Sequence, residues 1–140
     1  MSLEAFVQRP HALVSIDDHY DPKDSWVDQT LARKGLKRRV AYRSRYFMGV
    51  AEAVASSDLI SVVPHTLAQW ASERWPLQVV EAPLAMPTYF EEMLWHERFE
   101  HDRVHAWLRE RIVAAAAVIA ARYPCGEPQK RWQGPISYVD

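Results

Sequence analysis

The sequence holds one cysteine, Cys125, among 140 residues, so no disulfide can form within the chain. A lone thiol suits a reducing compartment, and a cytoplasmic location is expected. Glycine is scarce as well: the 4 glycines stand singly, which leaves no Gly-rich loop to cradle a nucleotide phosphate. No apolar run reaches the roughly 18 residues that a membrane helix requires. The longest candidate, residues 112–121, is mostly alanine and lies between arginines. The N-terminus has no basic segment followed by an apolar one, so no secretory signal is visible. Neither sign of charge dominates: 17 basic and 18 acidic residues give a formal net charge of -1. A free-standing nucleic-acid binder is usually distinctly basic, and no global field here draws the chain to DNA or to an acidic membrane.

What is present is ordinary globular material. Hydrophobic residues make up 49% and charged residues 25%, near the globular average. A chain of this size buries roughly two thirds of the surface its unfolded form exposes. The 6 tryptophans are most simply core-forming, because a buried indole packs and donates one hydrogen bond.

The first 75 residues alternate strand and helix. Ala12-Leu13-Val14-Ser15-Ile16 is a short apolar run and reads as a buried strand. A polar loop follows over residues 17–24. Ser25-Trp26-Val27-Asp28 has the form of a capping box, in which the hydroxyl accepts from the third helical N–H and the acid reaches back. Trp26, Val27, Thr30 and Leu31 share one face, and Gly35 supplies a left-handed stop. Residues 39–44 alternate as a strand, and residues 48–57 have helical spacing at Val50, Ala53 and Val54. In Ser56-Ser57-Asp58-Leu59-Ile60-Ser61-Val62-Val63-Pro64-His65 a helix ends, a nearly continuous apolar strand follows, and Pro64 opens a helix. Such a run suits the centre of a parallel sheet covered on both faces. Thr66 to Gln69 offers a second capping box, with Leu67, Trp70 and Ala71 buried. Strands that alternate with helices build a parallel sheet with right-handed crossovers.

The pattern changes after Trp75-Pro76. Residues 77–82 read as extended, residues 83–87 as a proline-bracketed crossing segment, and residues 89–97 as a strand. Asp102 is placed to cap a long helix reaching about Arg122, with Val104, Trp107, Leu108, Ile112, Ala115, Val118 and Ile119 in one apolar stripe. Residues 123–140 hold three prolines and two glycines and read as a loosely held tail.

Ordered stretches at the joints of these elements carry a resemblance. They are Pro10-His11-Ala12-Leu13-Val14-Ser15, Trp26-Val27-Asp28-Gln29-Thr30-Leu31-Ala32 and Gly35-Leu36-Lys37-Arg38-Arg39-Val40-Ala41. Phe47, Ser57-Asp58-Leu59-Ile60-Ser61-Val62-Val63-Pro64, Leu94-Trp95-His96 and Asp102-Arg103-Val104-His105-Ala106-Trp107-Leu108-Arg109 continue the set. Over roughly residues 10–112 the chain resembles the C-terminal effector-binding domain of LysR-type transcription regulators, nearest the subgroup that senses aromatic and flavonoid-like inducers. The resemblance implies an α/β fold of the type 2 periplasmic-binding-protein kind. It consists of a parallel sheet covered by helices, with a returning strand and a long C-terminal helix. Residues 1–76 would be the second effector-binding subdomain, and residues 77–122 the crossing segment, strand and helix of the first. The helix-turn-helix and most of the first subdomain have no counterpart here, so DNA would be reached only through a domain that this chain lacks.

The implied cleft lies at the C-terminal ends of the parallel strands, where helix N-termini offer free N–H groups. The family places effector contacts at such joints, here Ser15 and Ile16, then Arg45, Tyr46 and Phe47, then Val63, Pro64 and His65. Ser15 would hydrogen-bond a carboxylate or hydroxyl, Phe47 would stack on an aromatic ring, and His65 would donate from the rim. The plainer alternative is that these residues only cap and pack. Asp17 and Asp18 would oppose an anion. Lys37, Arg38, Arg39, Arg43 and Arg45 crowd one strand and its approach. They read as a solvated edge strand rather than a phosphate track. His101 and His105 lie four apart on a helix, a spacing that metal sites use, but no further ligand is implied. No metal, cofactor or catalytic residue is therefore assigned, and no enzyme is expected. The expected partners are a small organic effector, aromatic in the subgroup named, and a second copy of the chain in a homodimer. Two other classes stay open: a small self-contained ligand-binding module, and an enzyme with a dispersed site.

Overall fold

A computed structural model of the chain describes residues 1–15, 20–87 and 91–125. It divides into two compact units, Met1–Met86 and Pro87–Asp140.

The first unit opens with a helix that sequence patterning did not announce. Helix α1 spans Leu3–Gln8, capped by Ser2, whose hydroxyl accepts from the Ala5 N–H. Strand β1 follows at Pro10–Val14. A single 3-10 turn at Pro22–Asp24 leads to α2 at Trp26–Ala32. Then come β2 at Arg39–Ser44, α3 at Phe47–Ala55, β3 at Ile60–Ser61 and α4 at His65–Ser72. The expected strand-helix alternation is present, and the three strands are parallel in the order β2-β1-β3.

That order corrects one expectation. The apolar run at 59–63 is not the centre of the described sheet. β3 pairs only with β1, and only Ile60 and Ser61 are in strand geometry. The central strand is β1, and its burial explains why. His11 and Ala12 point to opposite faces, and both are almost fully buried, at 0% and 1% exposure. One face receives α1 and α2, through a core of Phe6, Val27, Leu31 and Leu84 with Ile60 and Val62 packed against it. Helix α3 lies against all three strands and buries Val50 and Ala51.

Local signals ended the helices largely where expected. Gly35 has φ +68°, a conformation that costs most L-residues energy. The Leu36 N–H reaches the Leu31 carbonyl and the Gly35 N–H reaches that of Ala32, both at 2.9 Å, the paired closure of a Schellman stop. The capping box at α2 is only half formed. Ser25 Oγ accepts from the Asp28 N–H at 3.3 Å, but the Asp28 carboxylate turns to Arg38 instead of reaching back. At α4 the helix begins one residue after Pro64, with no side-chain cap, so Thr66 lies inside the first turn rather than at a capping position.

In the second unit, α5 runs Arg103–Arg122 from an Asp102 cap, whose carboxylate accepts from the Val104 and His105 N–H groups at 2.9 Å. The strand expected over residues 89–97 is not found. Residues 91–96 have no strand geometry, and Glu97–Phe99 is a 3-10 turn. The side chains make local contacts here: the Trp95 indole N–H donates to Glu100, and Arg109 lies over the Trp95 ring at 4.6 Å. Phe99 stacks on His105 at 4.1 Å, which engages a histidine of the His101–His105 pair with an aromatic ring. The apolar stripe of α5 is present but largely exposed, from 45% at Ile112 to 73% at Val104. Among the described residues no helix is long and apolar enough to cross a membrane. Residues 126–140, most of the stretch expected as a tail, and residues 88–90 lie outside the described residues.

Candidate functional site

Three parallel strands in one sheet end on the same edge, and the expected joints sit there. β1 ends at Val14, and the Ser15 N–H extends the ladder by donating to the Ser44 carbonyl at 2.9 Å. This brings Ser15 beside the end of β2. Arg45 and Tyr46 then turn the chain into α3, which starts at Phe47. The turn is tied by Ser44, whose hydroxyl accepts from the Tyr46 N–H at 3.1 Å. Gly49 lets α3 sit close: a Cβ there would fall 2.8 Å from the Ser44 hydroxyl. On the other flank, β3 leads through Val62, Val63 and Pro64 to His65 at the start of α4.

The topology therefore gathers Ser15, the 45–47 turn and the 63–65 turn along one edge. Tyr46 and Phe47 are exposed there, at 73% and 44%. His65 is exposed, while Val63 and Pro64 are half-buried. Neither α3 nor α4 has a side-chain cap, so first-turn N–H groups face this edge without a hydroxyl or carboxylate of the cap residue. Ile16, Asp17 and Asp18 fall outside the described residues. A separate shallow depression, lined by Ala5, Gln8, Arg9, Pro10 and Asp58, lies at the opposite end of the strands, where β1 begins and α3 has just ended.

A buried polar network was missed by sequence reasoning. Arg38, grouped above with the solvated basic run, is buried, with 1% of its side chain exposed. It grips Asp28 with two parallel bonds, Nε to Oδ1 at 3.0 Å and Nη2 to Oδ2 at 2.7 Å, the forked geometry that makes arginine–carboxylate pairs strong. Nη2 also donates to Ser25 Oγ at 3.2 Å, and the Tyr20 hydroxyl donates to Asp28. Nη1 faces His11 Nδ1 at 3.4 Å, and His11 Nε2 lies 2.9 Å from the Phe6 carbonyl. A carbonyl can only accept, so Nε2 carries the proton and Nδ1 accepts from Arg38. The other basic residues of the β2 strand behave as expected: Arg39 and Arg43 are exposed on an edge strand.

The environment sets the charges. Burial pushes the Asp28 carboxyl up, but hydrogen bonds from Arg38, Tyr20 and Ser25, with the guanidinium charge, outweigh it and hold the group below its usual range. Burial and the Asp28 contact push the Tyr20 phenol up. Burial, reinforced by the Arg38 charge, lowers His11 against the opposing pull of the Phe6 carbonyl and Asp28. His11 and Arg38 are buried and Tyr20, Ser25 and Asp28 part-buried, and their contacts tie one element to another, so the network acts as a structural clamp.

With this geometry in view, similarity to known proteins becomes informative. No family model matches the chain. It is 31% identical over 116 residues to the HTH-type transcriptional regulator SyrM of Rhizobium etli, covering 81% of this chain and 33% of that protein. It is 28% identical over 117 residues to Nodulation protein D 1 of Mesorhizobium japonicum, covering 84% of this chain and 37% of that one. The regulatory domain of MexT, a transcriptional activator in Pseudomonas aeruginosa, superposes with a TM-score of 0.66 at 28% identity, over 81% of this chain and 56% of that domain. This chain is a homologue of the LysR-type transcription regulators. It spans about a third of the length of the curated LysR relatives it matches. The LysR regulatory domains have a periplasmic-binding-protein-like fold, and the parallel sheet with its covering helices is part of it.

Proposed function

We propose that this chain forms one wall of an effector-binding cleft in a LysR-type regulator, built on the C-terminal edge of the β2-β1-β3 sheet. One observation carries this: the parallel register brings Ser15, the 45–47 turn and the 63–65 turn to a single edge that carries two helix N-termini without side-chain caps. Such an edge attracts small molecules with acceptor groups. The exposed Tyr46 and Phe47 rings add faces on which an aromatic effector can stack. The assigned contacts are Ser15, Ile16, Arg45, Tyr46, Phe47, Val63, Pro64 and His65, acting as binding groups without catalysis. Residues 1–76 are assigned to the second effector subdomain and residues 77–122 to the crossing segment and returning helix.

DNA recognition is assigned to a helix-turn-helix outside this sequence, and the setting is cytoplasmic. A homodimer is the assigned assembly, supported by the exposed apolar side chains along α5, among them Trp107 at 59% and Val118 at 69%, since extended apolar surface favours association. Ligand-observed NMR with a panel of aromatic acids and neutral aromatics tests the binding assignment. Saturation transfer is expected from at least one aromatic class, and Ser15→Ala or Phe47→Ala should weaken it. If binding is unchanged in both variants, the effector contacts are elsewhere. Light scattering that returns a monomer at high concentration overturns the dimer.

A further inference from the structure

His11 occupies a position that the effector reading does not use. It is fully buried on the central strand, and both ring nitrogens are engaged. The Phe6 ring meets it edge-on at 4.6 Å from α1. From the approach to β2, the Arg38 guanidinium faces Nδ1, backed by Asp28 of α2, Ser25 and the Tyr20 hydroxyl. From β3, its register partner is the apolar Ile60. Among the described residues Asp28 is the one carboxylate in this cluster and Arg38 the one fixed cation, so their charges balance only while His11 is neutral.

The strand pairing is irregular at the same place. Between His11 and Ala12 the β1–β2 register slips: His11 pairs with Val40 but Ala12 pairs with Tyr42, so β2 bulges at Ala41. Beyond the bulge the ladder is regular through Val14↔Ser44 and the Ser15–Ser44 bond.

We propose that His11 is a proton-operated switch at the seam between β1 and the segment joining α2 to β2: the neutral ring closes the seam by accepting from Arg38, and the protonated ring opens it. A proton can add only at Nδ1, since Nε2 already donates to the Phe6 carbonyl. It replaces the acceptor with an N–H aimed at a guanidinium N–H 3.4 Å away. The cluster would then hold two cations against one carboxylate, buried where such an excess is costly. The Phe6 bond survives or strengthens, because an imidazolium is a better donor. The side that yields is Arg38 with its bonded partner Asp28, and with them α2 and the first half of β2. The bulge limits the opening, so the end of the sheet beyond it stays paired. Burial, reinforced by the Arg38 charge, delays protonation, so the ring takes up its proton below the ordinary imidazole range.

The test uses the full chain. Histidine 15N spectra at neutral pH should show His11 as the Nε2–H tautomer, titrating below its ordinary value. Amide hydrogen exchange between pH 7.5 and 5 should show local opening over residues 26–32 and 38–42. After correction for intrinsic exchange, it should rise by up to about tenfold per pH unit, as one linked proton requires. Residues 47–55 should show no such slope. In His11→Gln, whose amide keeps a donor but takes up no proton, the slope should vanish. An Nδ1–H tautomer, an ordinary or raised titration, or a slope shared equally by residues 47–55 overturns the proposal. If the variant does not fold, the wild-type tautomer and the segment-resolved slope decide it alone.

Discussion

Removing Arg38 should cost far more than removing any neighbouring basic residue. In Arg38→Met the apolar stem is retained, but the guanidinium is lost. Two bonds to Asp28 at 3.0 and 2.7 Å, one to Ser25 at 3.2 Å and one to His11 at 3.4 Å disappear together. Asp28, with 10% of its side chain exposed, would keep only the Tyr20 and Ser25 contacts while still largely out of water. Breaking one side of a buried pair costs about 3–5 kcal/mol, because a charge is left uncompensated. Urea slopes are about 1–3 kcal/mol per molar for small domains, so the midpoint should fall by roughly 2 M. Arg38→Lys should lie between, since it keeps the charge and loses the fork. Arg38→Met combined with Asp28→Leu should recover most of the loss, because no orphaned charge remains. Urea denaturation followed by circular dichroism on these variants is the assay. A cost below about 1 kcal/mol for Arg38→Met, the size of an exposed pair, would refute the clamp.

Gly49→Ala places a Cβ 2.8 Å from the Ser44 hydroxyl and should cost about 1–3 kcal/mol as an overpacked site, with Ser44→Ala in the same chain relieving part of it in thermal melts. Ser61 Oγ is buried without a partner among the described residues. Ser61→Ala should therefore be neutral or stabilising by up to about 1 kcal/mol, and a clear loss in denaturation would show a bonded hydroxyl. Stability should depend on pH in two windows. His11 is depressed when folded, so the unfolded chain takes up its proton first: stability is full above pH 6.5 and declines as pH falls toward the folded value. Asp28 is also depressed, so its contribution is present above about pH 3.8 and is lost as pH falls below that toward its folded value. Denaturation midpoints measured across pH 8 to 3 check both signs.

The elements that were legible in sequence are those set by short-range chemistry. Ser25, Gly35 and Asp102 each act within a few residues, through a cap or a left-handed turn, and each does so in the structure. The elements that were not legible depend on distant partners. Helix α1 has only six residues, too few for a firm period, although Leu3, Phe6 and Val7 do have helical spacing. It is held by burying Phe6 in the core of Val27, Leu31 and Leu84. Leu84 itself sits in a proline-bracketed stretch with no periodicity to mark it. Arg38 looked like its basic neighbours, yet one signal was available: Leu36, Arg38 and Val40 share the inward parity, while Lys37, Arg39 and Ala41 are exposed. The strand expected near Trp95 is absent because apolar alternation marks a candidate strand but does not supply a partner, and the described sheet pairs only β2, β1 and β3. That the three strand-to-helix joints share one edge was legible, because joints after parallel strands must fall on one side, whichever strand is central.

A small effector bound at this edge must perturb the residues that line it. Backbone amide shifts recorded while titrating the chain with an aromatic compound that gives saturation transfer test this binding most directly. The largest shifts should cluster at Ser15, at Arg45, Tyr46 and Phe47, and at Val63 and His65. Shifts centred instead on Ala5, Gln8, Arg9 and Asp58, at the opposite end of the strands, would contradict binding at this edge.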